Sequence, residues 1–154
     1  MAARFATETS VSCEKSRAEI ETILGRYGAE RFGYMTEPER AQIVFHAHNR
    51  SVKFTLPLPN REDFRMTPER NLRRDDAETR KHWEQACRQR WRALALVIKA
   101  KLEAVECGIA VFEEEFLAHI VLPNGQTVGA WAIPRIAESY ATGAPMPTLL
   151  ESGR

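Results

Sequence analysis

Residues 41–57 read AQIVFHAHNRSVKFTLP, and this stretch decides the fold class. Residues 41–48 and 51–57 are strand-like runs separated by Asn49 and Arg50, the length of a tight two-residue hairpin loop. With those two residues as the turn, Ala47 pairs with Val52, Phe45 with Phe54 and Ile43 with Leu56. All three pairs are apolar. The intervening pairs are His48 with Ser51, His46 with Lys53 and Val44 with Thr55, so polarity divides the hairpin into a core face and a polar face.

Upstream, residues 31–35 supply a preceding strand through the turn-like Thr36-Glu37-Pro38-Glu39-Arg40, which predicts a three-stranded antiparallel meander. Before it, Ser12 caps a helix over residues 13–27, with Ile20, Ile23, Leu24 and Tyr27 on one face and Gly28 as a left-handed stop. Downstream, Pro57 and Pro59 end the last strand, and residues 60–76 read as a long polar loop. A long helix follows over residues 77–107, capped by Asp75 or Asp76 and rich in good helix formers. Its apolar stripe comprises Trp83, Cys87, Trp91, Leu94, Ile98, Leu102 and Val105. A short helix over 112–118, a strand at 120–122, the Asn124-Gly125 turn and a final amphipathic stretch through Ile133, Ile136 and Tyr140 complete the chain. Pro134 is expected in the first turn of that last helix or at a kink in it. The class is α+β: N-terminal helix, three-stranded antiparallel meander, long central helix, then a short C-terminal hairpin and helices. All 154 residues read as a single domain, with flexible ends at 1–10 and 143–154.

Lys plus Arg total 22 against 21 Asp plus Glu, so the net charge of +1 supplies no global pull toward nucleic acid or membrane. Any electrostatic function has to arise from local segregation. Cys13, Cys87 and Cys107 are odd in number and scattered, which argues against a disulfide scaffold or a zinc module. The longest apolar run, residues 93–98, is too short to span a bilayer, and residues 1–10 carry no apolar leader. The expectation is a cytoplasmic protein of a bacterial host cell, without membrane, metal or cofactor.

Segregation is visible in one region. Residues 61–101 hold twelve basic and seven acidic side chains, an excess of five. Lys81, Arg88, Arg92 and Lys99 recur at helical spacing and form one line, roughly opposite the apolar stripe. The loop before them adds Arg65, Arg70, Arg73 and Arg74. On the hairpin's polar face His46, His48 and Lys53 extend the set, with Arg31 nearby. Cations on a loop and an adjoining helix can follow a phosphate backbone, and Arg suits bidentate phosphate contacts. The same stripe also fits a solvated helix face. Glu115 and His119, four residues apart, could share a metal, although the sequence nominates no third ligand and no catalytic residue.

The strings RWRALALVIKAKLEAVE (90–106), FEEEFLAHIVLP (112–123) and NGQTVG (124–129), with KSRAEIETILGRYGA (15–29) and FTLPLP (54–59), resemble small proteins encoded by bacteriophages and prophages. That resemblance implies a mobile-element origin and roles in replication, recombination or anti-defence. The order helix, meander, long helix also loosely resembles the core of phage single-strand annealing proteins, a likeness of topology without a shared motif.

The expected function is therefore sequence-tolerant nucleic-acid binding, with single-stranded DNA preferred, through Lys81, Arg88, Arg92, Lys99, Arg65, Arg70, Arg73, Arg74, Lys53 and His46. A protein-interaction module, such as an anti-defence inhibitor, and a small metal-dependent nuclease are the competing classes. The long helix, apolar nearly all round at 93–98, implies a homo-oligomer with Arg90 and Trp91 as contacts.

Overall fold

The computed structural model describes residues 6–146. The order is α1 (Cys13–Arg26), β1 (Arg31–Thr36), β2 (Arg40–Ala47), β3 (Arg50–Pro57), a 3₁₀ turn at Arg61–Phe64, α2 (Asp76–Glu106), α3 (Phe112–Glu115), a 3₁₀ turn at Leu117–His119, and α4 (Val128–Thr142). The strands form one antiparallel sheet in the order β1-β2-β3. The α+β class and its element order are those expected from the sequence.

The hairpin keeps its two faces but turns one residue earlier than expected. His48 and Asn49 have φ of 51° and 59°, so both central residues are left-handed, as a twist-matched two-residue turn requires. Ala47 lies opposite Arg50, Phe45 opposite Val52, Ile43 opposite Phe54 and Ala41 opposite Leu56. Each β2 residue thus meets a β3 partner two positions earlier than the Asn49-Arg50 turn would give. Side chains alternate with a period of two, so this slide leaves residues 41–47 and 51–57 on their expected faces, while His48 passes into the turn. Ala41, Ile43, Phe45, Ala47, Val52 and Phe54 are all buried.

These side chains pack against Ile20, Ile23 and Leu24 of α1, Trp91, Leu94, Ala95, Ile98 and Leu102 of α2, and Phe112, Phe116 and Ile120 in one cluster. Each large apolar side chain so buried stabilises the fold by about 1.5–3 kcal/mol. α1, α2 and α3 lie on one face of the sheet. Ser12 caps α1 by accepting from the Lys15 amide, and Asp75 caps α2 by accepting from the Glu78 amide. Along α1, Cys13 shares a cavity with Cys87, Glu19 pairs with Arg92, and the Tyr27 hydroxyl donates to Glu103. Both sets of numbers rise together, so α1 and α2 run parallel.

Residues 60–76 are more ordered than the long loop expected. Arg74 donates to the carbonyls of Phe64 and Met66 at 2.9 and 3.0 Å, and Met66 bridges to Arg73. Trp83 Nε1 donates to the Pro59 carbonyl at 2.8 Å, fastening the segment to α2. At the expected flexible N-terminal end, Gln85 donates to the carbonyls of Thr7 and Thr9. Residues 1–5 and 147–154 of the two expected flexible ends lie outside the described residues.

Trp91, expected at a subunit contact, is 2% exposed and is covered by its own chain, with the Arg17 guanidinium 5.2 Å over its ring. Arg90 is exposed. Lys101 reaches the Glu115 carboxylate and carbonyl at 2.9 and 3.0 Å within the chain. The expected strand at 120–122 is reduced to single bridges, Ile120 with Val52 and Val121 with Thr127. Pro134 sits inside α4 past its first turn, and Ile133, Ile136 and Tyr140 are exposed at 64%, 41% and 89%. α4 approaches the rest of the chain through Gly129, where an added Cβ would lie 2.8 Å from the Ala118 carbonyl oxygen. No described helix is long and apolar enough to cross a membrane.

Candidate nucleic-acid interface

The ten nominated residues fall on separate surfaces. Arg88, Arg92 and Lys99 lie along the seam between α2 and α1, and acids interrupt them there. Arg92 is ion-paired to Glu19, and Arg88 is held by the Gln85 side-chain oxygen at 2.6 and 3.0 Å. Lys99 borders a depression with Lys15, Arg26 and Glu19, while Arg88 borders another with Glu14 and Glu84. Lys81 is exposed near the start of α2. In the preceding segment, Arg65 is bound to Glu62 and Asp76, both at 2.8 Å, and Arg74 is occupied by backbone carbonyls. Arg70 and Arg73 are exposed.

His46 and Lys53 occupy the other layer, on the sheet face turned away from the helices. Alternation from the buried positions assigns Arg31, Gly33 and Met35 of β1, Gln42, Val44 and His46 of β2, and Ser51, Lys53 and Thr55 of β3 to this face. Arg31 lies opposite His46, which lies opposite Ser51; one step along, Gly33, Val44 and Lys53 form the next row. His46 Nδ1 is 3.3 Å from Ser51 Oγ, which orients the ring across the strands. Lys53 Nζ reaches the Gly125 carbonyl at a long 3.5 Å, and among the described residues no carboxylate pairs with its charge.

Two shallow depressions meet at His46 and Ser51. One is lined by Arg31, Gly33 and Val44; the other runs past Asn49 and Arg50 to a wall formed by residues 120–123. Neither is lined by a carboxylate, whereas each helix-side depression is. Unpaired cations in a concave surface focus a positive potential, and an adjacent carboxylate would cancel much of it. The face can therefore take an extended anion. Apart from the His46 imidazole, alternation assigns it no aromatic ring; on α2, Trp83 has its Nε1 bonded to the Pro59 carbonyl and Trp91 is buried.

The sequence brought His46, Lys53 and Arg31 together correctly on one face. His48, grouped with them, instead enters the turn and stacks on Phe112 at 4.5 Å. Arg50 was missed because it was assigned to the turn; the slid register makes it the first residue of β3, opposite Ala47, and it borders the second depression from the end of the sheet, not from the outer face itself. Lys15 and Arg26 on the helix side carried no signal until α1 was placed beside α2.

Glu115 and His119 do not form a metal centre. The Glu115 carboxylate is taken by Lys101, and the His119 ring stacks on Phe54 at 4.0 Å. Burial, and then the nearby Lys101 charge, hold the imidazole below its ordinary pKa. Among the described residues no cluster of three or more His, Cys, Asp or Glu side chains is placed to bind a metal. No protein-family model, curated protein or solved structure matches the chain.

Proposed function

We propose that the protein binds nucleic acid with little sequence preference, through the outer face of its sheet. The observation that carries this reading is the pair of depressions at His46 and Ser51, bordered by Arg31 and Arg50, flanked by Lys53 and free of carboxylates. Phosphates meet unpaired cations there. The helix-side stripe is secondary, because Arg88 and Arg92 already have partners. A backbone-directed contact of this kind serves single strands in recombination or replication, the roles that the resemblance to phage proteins implies.

A titration with single- and double-stranded oligonucleotides over a range of salt tests the proposal. Binding should weaken as salt rises, with a slope of about 0.7–0.9 per neutralised phosphate. Lys53→Glu and Arg50→Glu should each weaken binding and lower the slope by about one. Glu19→Gln, which frees Arg92 on the opposite layer, should leave affinity unchanged. Absent or salt-independent binding to both strand types removes the reading; a gain from Glu19→Gln moves the site to the helices.

A further inference from the structure

The free edge of β1 carries an inference about assembly. The Glu37 amide donates to the Arg40 carbonyl at 2.8 Å, closing the turn into β2. Backbone groups alternate sides along a strand, so the odd-numbered residues of β1 bond to β2. The N–H and C=O groups of Phe32, Tyr34 and Thr36 then point away from the sheet, and among the described residues no strand pairs with them. The other edge is covered in part, at its start, since Ile120 bridges to Val52 and the Val121 amide donates to the Ser51 carbonyl at 2.8 Å. Edge strands are commonly protected by proline, lysine, a bulge or a covering segment. The β1 sequence RFGYMT contains no proline or lysine, and it exposes Tyr34 at 54% and Met35 at 51%.

We propose that β1 pairs antiparallel with β1 of a second copy, about a two-fold axis at Tyr34, joining two sheets into one continuous sheet. Hydrogen bonding selects this register, and charge is compatible with it. With Tyr34 on the axis, Phe32 faces the partner's Thr36 and Thr36 the partner's Phe32, so every outward backbone group of the strand is satisfied. Arg31, which has no ion pair within its own chain among the described residues, then faces the partner's Glu37, and symmetry repeats the contact. Arg40, 2.6 Å from Glu37, already holds that carboxylate at the strand end. A slide of two residues puts Arg31 opposite Met35 or Glu39 and leaves an outward group at one strand end without a strand partner. A two-fold axis perpendicular to the sheet keeps both outer faces on one side. Two sets of His46, Ser51 and Lys53 thus share one surface, and only this consequence rests on the nucleic-acid reading.

Sedimentation of nuclease-treated protein at micromolar concentration tests the pairing. Wild type should be dimeric. Tyr34→Pro removes an outward N–H without touching the β2 ladder, and should give a monomer with unchanged circular dichroism. Arg31→Glu should weaken the dimer about tenfold or more, and combining it with Glu37→Arg should restore it; this pair decides the matter if Tyr34→Pro fails to fold. A wild-type monomer, or a dimer indifferent to the charge swap, overturns the proposal. A dimer that binds no nucleic acid keeps the pairing and removes the proposed function, and a monomer that binds does the reverse.

Discussion

At the scale of single residues, His119 gives the clearest pH signature. Above its ordinary value of 6.5 the imidazole is neutral in both folded and unfolded chains, and it contributes no pH dependence. Below that value the unfolded chain takes up a proton that the folded site resists, because Phe54 covers the ring and Lys101 repels the charge. Stability present at neutral pH is therefore lost as pH falls from 6.5 through the depressed folded pKa. His119→Phe keeps an aromatic ring against Phe54 but cannot titrate. Its melting temperature should fall less than the wild type's between about pH 7 and 5, and equal slopes would assign the dependence to other groups. Lys101→Met should raise the His119 midpoint in an NMR titration. The spacing of Glu115 and His119 was legible in the sequence, but their separate partners were not, because Lys101 and Phe54 come from distant elements.

At the scale of elements, capping and period carried most of the fold. Ser12 and Asp75 announce α1 and α2, and the alternation in residues 41–57 assigns both faces of the hairpin. What polarity cannot distinguish is a slide of two residues, since it returns the same side chains to the same face. Backbone conformation makes that distinction. A β-branched residue fits the left-handed region worse than His does, so His48→Val, which also loses the stack on Phe112, should destabilise by about 1 kcal/mol or more. Arg50→Val, at the start of a strand, should be neutral to within about 0.5 kcal/mol in chemical denaturation. The reverse order would restore the Asn49-Arg50 turn. A second element-scale test concerns α4, whose apolar residues 133, 136 and 140 suggested a buried face but are exposed. Gly129→Ala drives a Cβ against the Ala118 carbonyl, a backbone atom that cannot rotate away. Hydrogen exchange should accelerate throughout residues 130–142 while α2 and the sheet keep their protection; uniform acceleration would show that α4 is integral to the core.

Over the whole molecule, charge is divided between two layers. The helical spacing of Arg88, Arg92 and Lys99 was readable, as was their common direction, yet Glu19 reaches Arg92 and Glu14 comes near Arg88 only because α1 packs alongside α2. The sheet face escaped such neutralisation because its strands present no acid outward. Which cations remain unpaired is a tertiary property, and a local count of twelve against seven could not resolve it. The parallel course of α1 and α2 has a consequence during synthesis. The three strands and the segment after them lie between the two helices in sequence, so Ile20, Ile23 and Leu24 have no helical partner until α2 has been made. On a ribosome adding about 5–20 residues per second, α1 and the meander wait several seconds with their apolar faces uncovered. That interval is when a nascent chain is most exposed to chaperones and to its neighbours on the same messenger, and β1, with its unprotected edge, emerges near its beginning.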